Sequence, residues 1–162
     1  MRLTRDGRFE RSDIWREGKW LDLWSVVHLL SGTSFGLALG VLGFGTAASI
    51  LIAFLSFVLY ETWEAMVKIE EAPQNRFMDV VVGMASFVPT FFFSQGLPIA
   101  SFILAFGFIL TANIVIATLG WIASRKAEEF EHRMRLKLEE RRLRRKERRA
   151  RLRAADPFGK VR

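Results

Sequence analysis

The sequence contains no cysteine. Disulfides, thiolate metal ligands and thiol nucleophiles are therefore excluded together. Charge is missing over two long stretches: no Asp, Glu, Lys or Arg occurs from Leu29 to Tyr60, or from Val80 to Ser124. Stretches of that length exceed the needs of a soluble core helix, because about 20 apolar residues already span the ~30 Å hydrocarbon layer. No phosphate-cradling glycine loop, HExxH helix or Ser/His/Asp arrangement is present. The glycines of the first apolar segment follow no strand and read as packing residues. A cleaved signal peptide is not expected, since that segment holds Asp22 and His28 and is longer than a signal core.

What charge there is lies in the tails. Residues 1–19 carry net +2, residues 20–123 net −4 and residues 124–162 net +9. The chain thus divides into a cytoplasmic interfacial arm (1–19), a membrane domain (20–123) and a basic helical tail (124–162). The expected fold class is all-α: an integral membrane four-helix bundle with a long basic C-terminal helix. The spans are read at about 21–42, 46–66, 76–94 and 99–123. Pro73 and the acidic Glu70-Glu71 pair close the second segment, Pro89 is an expected kink, and Gln95-Gly96-Leu97-Pro98 makes a turn.

Direction follows from the distribution of basic residues. Arg2, Arg5, Arg8, Arg11, Arg16 and Lys19 precede the first span, Lys68 and Arg76 flank the middle loop, and the tail is densely basic. The turns near Gly43 and Gln95 carry no charge. Both termini are accordingly expected in the cytoplasm of a multi-pass inner-membrane protein. Trp15, Trp20, Trp24, Trp63 and Trp121 fall near the same interface.

Against this background six polar residues stand out: Asp22 and His28, Glu61 and Glu64, Asn75 and Asp79. Ionisable groups inside spans are costly, so they mark a functional site by default. Three segments place them at similar depth towards the inner end. Spacings of three and four put them on shared faces: Asp22, Ser25 and His28, the last continuing into Gly32, Gly36 and Gly40; Phe57, Glu61 and Glu64; Asn75, Asp79, Gly83 and Phe87. Small residues allow close approach of membrane helices. A tight bundle opening into a polar pocket is expected, with His28, Glu61 and Asp79 as its core and Asp22 and Asn75 in support.

Taken singly, several of these residues have plainer roles. Asp22 could cap a helix, Asp79 could pair with Arg76, and Glu64 could pair with Lys68. As a set, His28, Glu61, Glu64 and Asp79 are candidate ligands for a divalent metal, and the same groups could serve general acid–base work. Asn113, in mid-span, is expected to bond to another helix. The tail carries Glu–Arg pairs at i, i+4 in the favourable order. Its Arg-rich half, residues 141–153, suits anionic inner-leaflet lipids. Nucleic acid is not the expected partner.

The sequence resembles a loose group of small bacterial membrane proteins that includes the VanZ-like family. The likeness lies in Asp22-x5-His28-x3-Gly32, Tyr60-Glu61-x2-Glu64 and Asn75-x3-Asp79-x3-Gly83, and covers residues 20–90. It implies a compact helical membrane protein linked to cell-envelope phenotypes such as glycopeptide resistance. It supplies no settled reaction, and no residue role is carried over from it. The leading expectation is a pocket that binds a lipid or lipid-linked head group, with a divalent metal or proton transfer as alternative means of assistance. The alternative is a non-enzymatic scaffold subunit that docks a membrane partner or a second copy through its tail. A proton pathway is disfavoured, because the outer halves of the first three spans hold no ionisable group.

Overall fold

A computed structural model of the chain describes residues 2–3, 9–10, 14–15, 18–67 and 72–155. Two short strands, β1 (Arg2–Leu3) and β2 (Phe9–Glu10), pair antiparallel with Arg2 opposite Glu10. They are followed by four helices: α1 (Leu23–Val41), α2 (Thr46–Met66), α3 (Pro73–Ser94) and α4 (Ile99–Ala155). Each helix contains a segment long and apolar enough to cross a membrane. The build is that of a multi-pass membrane protein. The chain forms two compact units, one of residues 14–124 and one of residues 1–13 with 125–162.

Local chemistry sets the helix boundaries. Asp22 is the N-cap of α1: its carboxylate accepts from the backbone N–H of Trp24 (2.7 Å) and Ser25 (3.2 Å). Ser25 Oγ accepts in return from the N–H of Asp22, closing a capping box. The first span therefore starts at Leu23 rather than at residue 21. Gly43 adopts φ +72° in the turn before α2, a conformation that disfavours side chains. Pro73 does not merely stop α2; it opens α3 at the first helical position, where its missing N–H is no loss. The third helix thus begins three residues earlier than the charge pattern suggests, and it runs through Pro89 without a break. The fourth span and the basic tail are one continuous helix of 57 residues.

Within the 14–124 unit, α1 packs chiefly on α3, and α2 packs on α3 beside them. Lipid tails are as apolar as a phenylalanine, so escape from water does not drive this packing; close contact and interhelical hydrogen bonds do. The seam shows both. A Cβ on Gly32 would lie 2.0 Å from the carbonyl oxygen of Gly83, on Gly36 2.8 Å from that of Phe87, and on Gly40 2.9 Å from that of Phe91. Each step of four along α1 is matched by four along α3, so the two helices run parallel in fixed register. Ser86 Oγ donates to the carbonyl of Leu29 (2.8 Å) and Ser94 Oγ to that of Gly36 (3.1 Å). Phe57 of α2 closes on Gly83 from the other side. Leu39, Ala53, Phe87 and Phe91 make the apolar core.

Asn113 of α4 donates to Ser31 Oγ of α1 (2.9 Å), the interhelical bond its mid-span position suggests. The most apolar window of α4 has no buried residue. In the other unit, α4 carries Glu131–Arg135 and Glu140–Arg144 ion pairs on exposed faces. Lys68, Glu70 and Glu71 of the middle loop, and Arg5, Arg8, Arg11 and Arg16 of the N-terminal arm, lie outside the described residues.

Candidate acid–histidine centre

At the end of the bundle formed by the starts of α1 and α3 and the finish of α2, three helices each deliver one buried ionisable group. His28 lies in the second turn of α1, Asp79 in the second turn of α3 and Glu61 in the last two turns of α2. They are 7%, 2% and 6% exposed. One ligand-type atom from each lies within 4.8 Å of the other two. His28 Nε2 is 3.4 Å from Glu61 Oε1 and 3.9 Å from Asp79 Oδ2. The parallel seam of α1 and α3 holds His28 level with Asp79, and contact of Phe57 with Gly83 sets the depth of Glu61, one turn further along α2.

A hydrogen-bonded shell orients this trio. Ser25 Oγ donates to Asp79 Oδ1 at 2.6 Å, which leaves Oδ2 turned to His28. Asn75, fully buried, donates through Nδ2 to Asp22 Oδ2 (2.9 Å) and more weakly to Asp79 Oδ2 (3.4 Å). Asp22 Oδ2 also accepts from the N–H of Gly18 (2.8 Å). Backbone at residue 18, the cap of α1 and the start of α3 are thereby tied together. On the α2 side, the His28 ring meets Tyr60 edge-on at 5.6 Å and Phe57 at 6.2 Å.

Five of the six residues singled out from the sequence belong to this assembly. Glu64 is half-buried one turn beyond Glu61 and is not one of the three converging ligand atoms. Asp22 has the capping role its position allowed, and it also reaches α3 through Asn75. Ser25 is the residue undervalued by sequence reasoning. Its place three residues from both Asp22 and His28 puts it on the polar face, and its hydroxyl is what fixes the Asp79 carboxylate.

Tryptophans gather at the same end. Trp15 and Trp24 meet edge-to-face at 5.3 Å, and Trp24 Nε1 donates to the carbonyl of Trp15 (3.3 Å). The Trp15 ring lies against Gly120 of α4, where a Cβ would come within 2.6 Å of it. Trp63 adjoins Tyr60 in the last turns of α2. Chemically, the arrangement offers one imidazole and two carboxylates, a set suited to holding a cation or to moving a proton. No family model matches the chain, and no curated protein or solved structure matches it either.

Proposed function

We propose that this is an inner-membrane protein with both termini in the cytoplasm, whose acid–histidine centre binds the polar head of a lipid or lipid-linked molecule. The observation that carries the reading is the meeting of His28, Glu61 and Asp79, buried and from three separate helices, within 4.8 Å. Ionisable groups buried inside a membrane bundle are costly and mark a functional site by default. Depth supports a head group as the ligand. His28 is five residues into α1, about 8 Å along the helix axis. The tryptophans around it are of the kind that settle at the membrane–water boundary. Membership of the VanZ-like group and a place in cell-envelope chemistry belong to the same proposal, on the strength of the Asp22–Gly32, Tyr60–Glu64 and Asn75–Gly83 motifs.

A second reading has one observation in its favour. The bare apolar window of α4 and the basic length beyond it suit a scaffold subunit that docks a membrane partner or a second copy. In either case the tail's arginines would meet anionic lipids of the inner leaflet. Lipid co-purification separates the two readings. Native mass spectrometry of the detergent-purified chain should show a retained lipid that is lost in the His28→Ala, Glu61→Gln and Asp79→Asn variants and kept after truncation at Ser124. Retention in all three variants, with loss on truncation, would overturn the pocket in favour of the scaffold.

A further inference from the structure

We infer that His28, Glu61 and Asp79 form a three-ligand site for a divalent first-row cation, which in turn holds a phosphate-type oxygen of the bound head group. The inference deepens the head-group reading and rests on it for the identity of that oxygen. Two independent features support it.

The first is spacing. A charge-assisted hydrogen bond between His28 and either acid would be about 2.7–2.9 Å long, and the observed separations are 3.4 and 3.9 Å. Ligand atoms around a metal with bonds of roughly 2.0–2.2 Å lie about 3.0 Å apart in an octahedron and about 3.4 Å apart in a tetrahedron. The His28–Glu61 edge matches the tetrahedral value, Asp79 Oδ2 stands about 0.5 Å beyond it from His28, and the Glu61–Asp79 edge, within 4.8 Å, is the one a bound ion would draw in. Three atoms hydrogen-bonded to a lipid ammonium would stand further apart, at about 4.1–4.7 Å for bonds near 2.9 Å. The His28–Glu61 edge is too short for that. One imidazole with two carboxylates is a mixed set that suits Zn²⁺, Mn²⁺ or Fe²⁺ over the all-oxygen preference of Ca²⁺.

The second is the shell and its charge. Ser25 pins Asp79 Oδ1 and turns Oδ2 towards His28, the kind of outer-shell support that metal ligands carry. Among the described residues, the buried side chains include two carboxylates and no basic group except His28. Such a centre repels a phosphate. With a divalent cation in place it attracts one, so an anionic head group and an acidic pocket become compatible.

The test uses the full chain in mild detergent, stripped with a chelator and reloaded with Zn²⁺, Mn²⁺ or Co²⁺ alone. Metal is counted after desalting, and the Co²⁺ form is read by its visible absorption. About one ion per chain is expected. His28→Ala and Asp79→Asn should weaken binding at least 100-fold, and Ser25→Ala, acting only on ligand orientation, by 10- to 100-fold. Glu131→Gln and Glu140→Gln in the tail should leave it unchanged. Circular dichroism and a monodisperse elution profile certify each variant as folded. A folded wild type that takes up no more metal than the Glu61→Gln/Asp79→Asn double variant overturns the site. So does uptake that survives His28→Ala, which would place the ions on the tail.

A second arm adds short-chain phosphatidic acid or inorganic phosphate. The metal-loaded chain should bind the lipid at least tenfold more tightly than the stripped chain, and more tightly than it binds free phosphate. Equal lipid binding with and without metal overturns the bridging role. Should metal bind while neither anion does, the head-group reading fails and the cation site stands. Should lipid binding require His28, Glu61 and Asp79 while no metal binds, the cation site fails and the head-group reading stands.

Discussion

Replacing Gly32 with alanine adds one methyl group where the α1–α3 seam leaves least room against opposing backbone. That methyl would sit 2.0 Å from the carbonyl oxygen of Gly83 and 2.2 Å from Ser86 Oγ. The serine hydroxyl can rotate away; a helical carbonyl cannot. Relief therefore requires the two helices to part by at least about 1 Å, a gap that forfeits up to half of each dispersion contact it opens. Over-packing of this kind costs about 1–3 kcal/mol. Strain on the Ser86–Leu29 and Ser94–Gly36 bonds adds up to about 0.6 kcal/mol each. A total of about 1–4 kcal/mol is expected from these terms. Gly107→Ala is the matched control, since nothing lies within 4 Å of its added Cβ. It should be neutral or slightly stabilising, because alanine is the better helix former. The assay is unfolding in a mild detergent titrated with dodecyl sulfate, followed by tryptophan fluorescence and helicity. The same parting would stretch the 2.6 Å Ser25–Asp79 bond, so ligand binding at the centre should fall with stability. Equal stability of Gly32→Ala and Gly107→Ala would refute the seam as the principal support of the bundle.

Other expectations are narrower. A double-mutant cycle of Asn113→Ala and Ser31→Ala, read in the same unfolding assay, should give a coupling of about 0.6–1.7 kcal/mol; zero coupling would remove the α4–α1 bond from the account. Asn75→Ala severs the link between Asp22 and α3 and leaves a half-buried carboxylate short of a donor, so a loss of about 1–3 kcal/mol is expected by thermal melting, more than for Glu64→Gln. Gly120→Val should displace the Trp15 ring and alter its fluorescence, and an unchanged emission spectrum would contradict that contact. Glu140→Gln removes an exposed ion pair worth at most about 0.5 kcal/mol and should leave melting unchanged. A reporter fused at Gln95 should read as non-cytoplasmic, and a cytoplasmic signal would overturn the proposed direction.

The spans were legible because charge vanishes where lipid begins: the first three agree with α1, α2 and α3 to within three residues at either end, whereas the fourth is only the start of a 57-residue helix. The boundaries were less legible, since caps follow local hydrogen bonding rather than hydropathy. Asp22 reads equally as a span residue and as a cap until its carboxylate is seen to accept from Trp24 and Ser25. Pro73 signals a stop for one helix and a start for the next with the same ring. The convergence of His28, Glu61 and Asp79 could be anticipated from depth and face. Its ordering could not: that Ser25 would hold Asp79 Oδ1 depends on the relative rotation of α1 and α3, which periodicity leaves open. The pairing of α1 with α3, skipping α2, was also only partly legible. Glycine at every fourth position of α1 announces a close neighbour without saying which.

That skipped pairing bears on how the chain is made. Helices enter a membrane in order, so α1 and α2 must arrive before α3 exists to receive the glycine face. Until then His28 and Ser25 have no Asp79 to meet, and the open face of Gly32, Gly36 and Gly40 is bare to lipid. The centre is thus a product of completed insertion. A chain stalled after α2 holds two of the three ionisable groups and none of the seam that aligns them.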